Sequence, residues 1–294
     1  MVRVYVAATA AEWLPARVLE FSIRETTALS VEVTRICTVG RTIPMPQAIK
    51  NRPRTPFSFQ RFLVPELCEY KGKAIYLDSD MQVFKDIRQL WNWPLNDCDL
   101  QTVFAEQEGR RGQFSVMLLD CGRLRWNIDN IVAELDAGIL DYSGLMHEMR
   151  VATNIGRDVS PHWNALESFD PEHTCLLHYT DMNTQPWVST GNPLGHLWIA
   201  CLRSALARGF ISRLEIENEI SEGHVRPSLS AQLDAGVDRT TDLPRSIRHL
   251  DKYFVAPYRH LNIVGARLWR SLSRPLVAAV RRGYFRSPLS RLFD

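Results

Sequence analysis

Two aspartates one residue apart, Asp78 and Asp80, close the run Lys73-Ala74-Ile75-Tyr76-Leu77-Asp78-Ser79-Asp80. Side chains on an extended strand alternate faces, so residues two apart point the same way. With the chain extended through Ser79, the two carboxylates converge on one ion. Hard divalent cations such as Mg2+ and Mn2+ take few protein carboxylates and keep positions open for phosphate oxygens. A second stretch, Leu176-Leu177-His178-Tyr179-Thr180-Asp181, ends another apolar run on an imidazole. Neutral imidazole is a good third ligand for Mn2+ beside two carboxylates. Each feature alone has a plainer reading, since about one D-x-D arises by chance in a chain with this many aspartates, and a strand-end His is commonly structural. The chain carries its own control in Asp97-Cys98-Asp99, which follows Trp91-Asn92-Trp93-Pro94 without an apolar lead-in and reads as a solvated turn.

The elements that must position these groups are legible as patterns. Residues 2–8 read as a first strand, and residues 15–29 as a helix with Val18, Leu19, Ile23 and Thr26 inward. Residues 31–39 suggest a second strand, and the Pro- and Arg-rich residues 42–56 a loop. Residues 57–70 look helical, with a kink or early break at Pro65. Further strands are expected over 100–105, 114–120 and 174–179, with helices over 127–137 and 197–207. This alternation predicts an α/β layer fold in which ligands sit beyond the carboxyl ends of the strands, where Asp78 lies.

A length of 294 residues with 45% hydrophobic content supports one large α/β domain with an appendage. The six cysteines show no C-x-x-C spacing and read as reduced core thiols of a cytoplasmic protein. No apolar run approaches the roughly 18 residues of a membrane span, and residues 4–11 read as a core strand, not a leader. The net charge of +2 conceals an asymmetry: from Arg245 onward there are eleven Lys and Arg against two Asp, so the preceding residues are net acidic. Residues 210–244 are polar and Gly/Ser-dotted, which places a boundary between a domain over 1–244 and a basic tail over 245–294. Within the tail, Leu261, Val264, Leu268, Trp269 and Leu272 share one helical face, and Arg259, Arg267, Arg270 and Arg274 the other. Such a helix suits either an anionic membrane surface, on the inner face of the membrane, or a docked helix with a solvated back. Nucleic acid is not an expected partner.

Together these segments resemble glycosyltransferase family 8, enzymes of the GT-A fold. The resemblance rests on three blocks: residues 57–67 running into Ala74-Ile75-Tyr76-Leu77-Asp78-Ser79-Asp80; Phe114-Ser115-Val116-Met117-Leu118-Leu119-Asp120; and His178 through Pro186-Trp187, preceded by Trp163-Asn164. It covers roughly residues 2–200 and implies a Rossmann-like GT-A mixed sheet flanked by helices. It further implies Mn2+ or Mg2+ bound by Asp78, Asp80 and His178 and bridging the diphosphate of a nucleotide sugar, expected to be a UDP-sugar. Ala7, Ala8 and Thr9 would line the nucleoside pocket, with Arg61, Ser79 and Gln185 near the donor. Gln113 and Asp80 would act at the reacting centre, and the acceptor would be a saccharide or other hydroxyl. Trp187 fits a pocket wall and a packing residue equally well.

Several positions depart from the family pattern. Gln113 stands where Asn is usual and Ser115 where Gly is usual. A D-Q pair expected near Tyr142-Ser143-Gly144 is absent, Asp181 replaces a Gly, and Gln185 replaces a Lys. The reading is therefore a metal-dependent retaining glycosyltransferase. The alternatives are a sugar nucleotidyltransferase, which needs a Gly-rich phosphate loop that Ala7-Ala8-Thr9-Ala10-Ala11 does not offer, and a degenerate nucleotide-sugar-binding protein held at a membrane.

Overall fold

The structure is a computed structural model that describes residues 1–103 and 114–258. The chain opens with β1 (Val2–Ala7), α1 (Trp13–Thr26) and β2 (Val31–Arg35). A long irregular stretch then leads into a 3-10 helix over Ser58–Leu63 and a single α-turn, α2 (Val64–Leu67). After it come β3 (Lys73–Asp78), β4 (Met81–Val83), α3 (Arg88–Trp91), β5 (Leu100–Val103) and β6 (Val116–Asp120). The next elements are α4 (Ile128–Asp136), α5 (Tyr142–Met146), β7 (Ile155–Val159), β8 (Ala165–Leu166) and β9 (Leu176–His178). Four helices close the described chain: α6 (Gly195–Ala207), α7 (Arg213–Ser221), α8 (Ser228–Asp234) and α9 (Arg245–Arg248).

Six strands form one mixed sheet in the order β2-β1-β3-β6-β5-β7, with β1 parallel to both β2 and β3, and β6 antiparallel to β3 and β5. Alternation sorts the strand residues between two cores. Tyr5, Ala7, Ala74, Tyr76, Met117 and Leu119 face the core under residues 57–64 and α4. Val4, Val6, Ile75, Leu77, Val116 and Leu118 face the core under α1 and α3. A third cluster packs the outer face of α1, through Leu14, Val18 and Phe21, against Trp187, Trp198 and the apolar residues of α6, α7 and α8. The polar stretch 210–244 thus carries two helices that bury Ile216, Ile220, Leu229 and Leu233 in that cluster.

The expected helix over 57–70 divides into two pieces for a physical reason. Proline has no N–H to give the carbonyl four residues back, so an α-helix cannot run through Pro65. The chain therefore makes 3-10 turns up to Leu63 and starts an α-turn with Pro65 in its first turn, where the missing donor is harmless. The second strand also ends early: Ile36–Thr38 forms a 3-10 turn. Among the described residues, no helix is long and apolar enough to cross a membrane. Most of the basic tail, residues 259–294, lies outside the described residues.

Candidate active site

A small second sheet, β4-β9-β8, builds the site. The chain leaves β3 at Asp78, turns through Ser79 and Asp80, and enters β4, which pairs antiparallel with β9 so that Met81 stands opposite His178. The Tyr179 N–H donates to the Asp80 carbonyl at 2.9 Å, continuing that pairing one step back. Backbone register thus delivers an imidazole from almost a hundred residues away to the D-x-D turn. His178 Nε2 lies 3.1 Å from Asp80 Oδ1, and ligand atoms of Asp78, Asp80 and His178 all lie within 4.8 Å of one another.

Each ligand is held from behind. Asp78 Oδ1 accepts from the Tyr76 hydroxyl at 2.6 Å and faces Arg61 Nη2 at 3.5 Å. Tyr76 and Asp78 share a strand face, the one that packs towards residues 57–64. Asp80 Oδ2 accepts from Gln185 Nε2 at 3.1 Å, and that amide also donates to the Tyr179 carbonyl at 2.9 Å. His178 Nδ1 contacts Asn164 Oδ1 at 2.9 Å. Because that oxygen can only accept, the network assigns the ring proton to Nδ1 and leaves the Nε2 lone pair facing Asp80.

That arrangement fits a divalent cation. Asp80 Oδ1 is buried beside His178 Nε2, which can donate to it only when the imidazole is charged; with the ring neutral the oxygen has no hydrogen-bond partner among the described residues. An imidazole lone pair and a carboxylate at that distance repel unless a positive charge lies between or beside them. Neighbouring ligands of an octahedral ion with bonds of about 2.1 Å lie about 3 Å apart, close to the 3.1 Å between Asp80 Oδ1 and His178 Nε2. The same electrostatics act on the proton: burial pulls the His178 pKa down, but Asp80, with Asp78 and Glu167, outweighs it and leaves the value raised. The pocket demands positive charge.

Arg61 is fully engaged. Its Nε donates to the Ser58 carbonyl at 2.9 Å, Nη1 donates to the Phe114 carbonyl at 3.0 Å, and Nη2 faces Asp78. Burial lowers its pKa, but Tyr76, Asp78 and Tyr142 more than offset this. In this state Arg61 braces Asp78. Ala7 pairs with Asp78 across β1 and β3, and both Ala7 and Ala8 are buried. The Gln60 amide takes both backbone groups of Ala8, accepting from N–H at 2.9 Å and donating to C=O at 2.7 Å. Thr9 is tied to the buried Glu12 carboxylate, through its N–H at 2.8 Å and its hydroxyl at 2.6 Å, and lies 2.5 Å from the Tyr258 hydroxyl. Ser79 Oγ is buried without a partner among the described residues. Gln113 lies outside the described residues. The control pair behaves as a turn: Asp97 pairs with Arg123, and Asp99 accepts from the Thr153 and Asn154 amides.

Residues 21–115 match the family described as Glycosyl transferase family 8. The matched stretch is less than half of the chain. It is 39% identical over 72 residues to Glycosyltransferase 8 domain-containing protein 1 of Xenopus tropicalis, and 36% identical over 72 residues to that of Xenopus laevis. These matches cover 21% of this chain and span about a fifth of the relatives, 19% and 20%. Among solved structures, the galactosyltransferase LgtC in complex with donor and acceptor sugar analogues aligns over 72% of this chain and all of its own, at 16% identity and TM-score 0.50. The glycosyltransferase GlyE of Streptococcus pneumoniae TIGR4 aligns over 77% of this chain and 64% of its own, at 15% identity and TM-score 0.51. At such identities the likeness establishes the fold, which is GT-A.

Sequence reasoning missed the groups behind the candidate ligands. Tyr76 was findable, being two residues before Asp78 on one strand. Asn164 follows Trp163 in the chain, but nothing in sequence ties it to His178. Trp187 packs on Trp198 and Tyr179, with ring centroids 5.4 and 6.2 Å away, and is buried.

Proposed function

We propose that the protein is a metal-dependent, retaining glycosyltransferase that moves a sugar from a nucleotide-sugar donor, a UDP-sugar by preference, to a hydroxyl acceptor. The observation that carries this reading is the meeting of Asp78, Asp80 and His178 around an unpartnered carboxylate oxygen and an imidazole lone pair. Those three residues would hold Mn2+ or Mg2+. When bound, the cation supplies neutralisation of the charge that develops on the leaving diphosphate.

The chain's own residues do the rest by holding shape. Tyr76 and Arg61 hold Asp78 in place, Gln185 turns Asp80 so that Oδ1 faces the cation site, and Asn164 fixes the imidazole tautomer. In the reaction the bond from the anomeric carbon to the phosphate oxygen breaks and one to the acceptor oxygen forms. The acceptor proton passes to the departing phosphate, so retention needs no protein base on the opposite face. Gln113 is proposed to contact the donor sugar, and the basic tail to rest on an anionic membrane surface.

Release of free sugar or transfer product from UDP-sugars, compared with Mn2+ and with EDTA, tests the assignment. Asp80→Asn should abolish the Mn2+-dependent signal and leave the far-UV spectrum unchanged. Turnover that persists in EDTA would refute metal dependence.

A further inference from the structure

A hollow of about 290 Å3 opens between the loop over residues 42–56 and the start of α5, with Lys50, Asn51 and Arg54 on one wall and Asp141, Tyr142 and Ser143 on the other. The loop is tied down. Asn51 Nδ2 donates to the Leu135 carbonyl at 2.9 Å, the Gln47 N–H to Asp136 at 2.8 Å, and Arg52 Nε to the Pro46 carbonyl at 2.9 Å. Arg54 is set in place as well, with its guanidinium carbon 4.9 Å from the centroid of the Tyr142 ring.

The charges on the two walls do not balance. Arg41, just ahead of that loop, pairs with Glu66 and Asp129. Among the described residues, no carboxylate lies within ion-pair distance of Lys50 or Arg54. Asp141, the acidic group of the opposite wall, spends Oδ1 on the Gly144 N–H at 2.7 Å. An arginine fork and a lysine point charge over one hollow suit a carboxylate or phosphate, while Ser143 and the Tyr142 ring offer the hydroxyl contact and apolar face that a pyranose uses.

We propose that this hollow is a subsite for an anionic sugar, a pyranose bearing a carboxylate or a phosphate, that serves as either the transferred sugar or the acceptor. The proposal rests on the glycosyltransferase reading above for the role of that sugar. Lys50 and Arg54 bind its charge, and a neutral sugar leaves both cations uncompensated.

Calorimetric titration of the full chain with Mn2+ present tests it in two arms. UDP-glucuronate against UDP-glucose reports on the donor; glucose 6-phosphate and glucuronate against glucose, with UDP added, report on the acceptor. One arm should favour the anionic sugar roughly tenfold or more. Lys50→Ala/Arg54→Ala should erase that preference and leave Mn2+ affinity and Tm at wild-type values, since both side chains are exposed. Equal affinity for charged and neutral sugars in both arms overturns the proposal, as does a preference that survives the double substitution. Loss of the transferase reading looks different: anionic sugars bind through Lys50 and Arg54, but UDP binding does not depend on Mn2+.

Discussion

The two oxygens of Asp80 face different partners, and the difference decides what the residue can do. Oδ2 is held by the Gln185 amide, while Oδ1 is buried and faces the His178 lone pair. The lone pair exists because Asn164 accepts the proton on Nδ1. Groups that orient a metal ligand typically contribute roughly 10–100-fold to metal affinity. Asn164→Ala should therefore weaken Mn2+ binding by about tenfold or more in calorimetry, with little change in Tm. The ligands themselves were legible because each ends an apolar run, where a charged group has few structural uses. Their supports were not, since Asn164 and Gln185 are ordinary polar residues until the fold brings them near. Gln185 illustrates the limit: sequence placed it near the donor in the position of a Lys, without showing that its amide grips Asp80. Glu12 makes a separate prediction. Burial raises its pKa, outweighing the hydrogen bonds from Thr9 and Tyr258 that favour the carboxylate. A carboxyl raised on folding contributes stability that is full below its unfolded pKa and lost as pH rises through the folded one. Glu12→Gln should flatten the fall in Tm over that window. An unchanged pH profile in thermal melts would show that the carboxyl is not titrating as argued.

At the scale of elements, the site depends on pieces too short to read from sequence. The strands β4, β8 and β9 hold three, two and three residues, and only their mutual pairing makes them strands. The long strands and α1, α4 and α6 carry their own periodicity and fall close to the expected bounds. The loop bearing Gln185 is fixed by a residue about forty positions further along, and no pattern in the chain links the two. Arg226, fully buried ahead of α8, donates from Nε to the Pro186 carbonyl at 2.9 Å, and its N–H donates to the Trp187 carbonyl at 2.8 Å. The guanidinium also reaches Ser228 and Gln232, and Ser228 passes on to Asp251 at 2.5 Å. Burial lowers the Arg226 pKa to about 10 even with Asp251 near, so the charge is kept there against a desolvation penalty. Arg226→Met leaves several buried acceptors unpaired and should destabilise the fold by about 3 kcal/mol in urea titration. Because the loop then loosens around Gln185, Mn2+ affinity of the folded fraction should fall too. A stability loss with metal binding untouched would confine Arg226 to packing.

Over the whole molecule, the split between an acidic domain and a basic end was visible in the charges alone, but composition could not place the junction physically. The polar stretch 210–244 resembles a linker by its composition, yet its buried isoleucines and leucines complete the third core. Residues 245–258 are tied to the domain as well, by Asp251 on Ser228 and by Tyr258 on Thr9 at the end of β1. These ties group residues 245–258 with the domain, and two deletions test whether the junction belongs at 245. A chain ending at Tyr258 keeps both ties and should melt within about 2 °C of the full protein. One ending at Pro244 loses both and leaves Arg226 without its carboxylate, so its Tm should drop by several degrees, roughly 2–4 °C for each 1 kcal/mol lost. If the basic end contacts an anionic membrane, both deletions should lose sedimentation with phosphatidylserine vesicles at low salt. Vesicle binding that survives in the chain ending at Tyr258 would move the membrane contact into the domain, and equal Tm values for the two deletions would return the junction to 245.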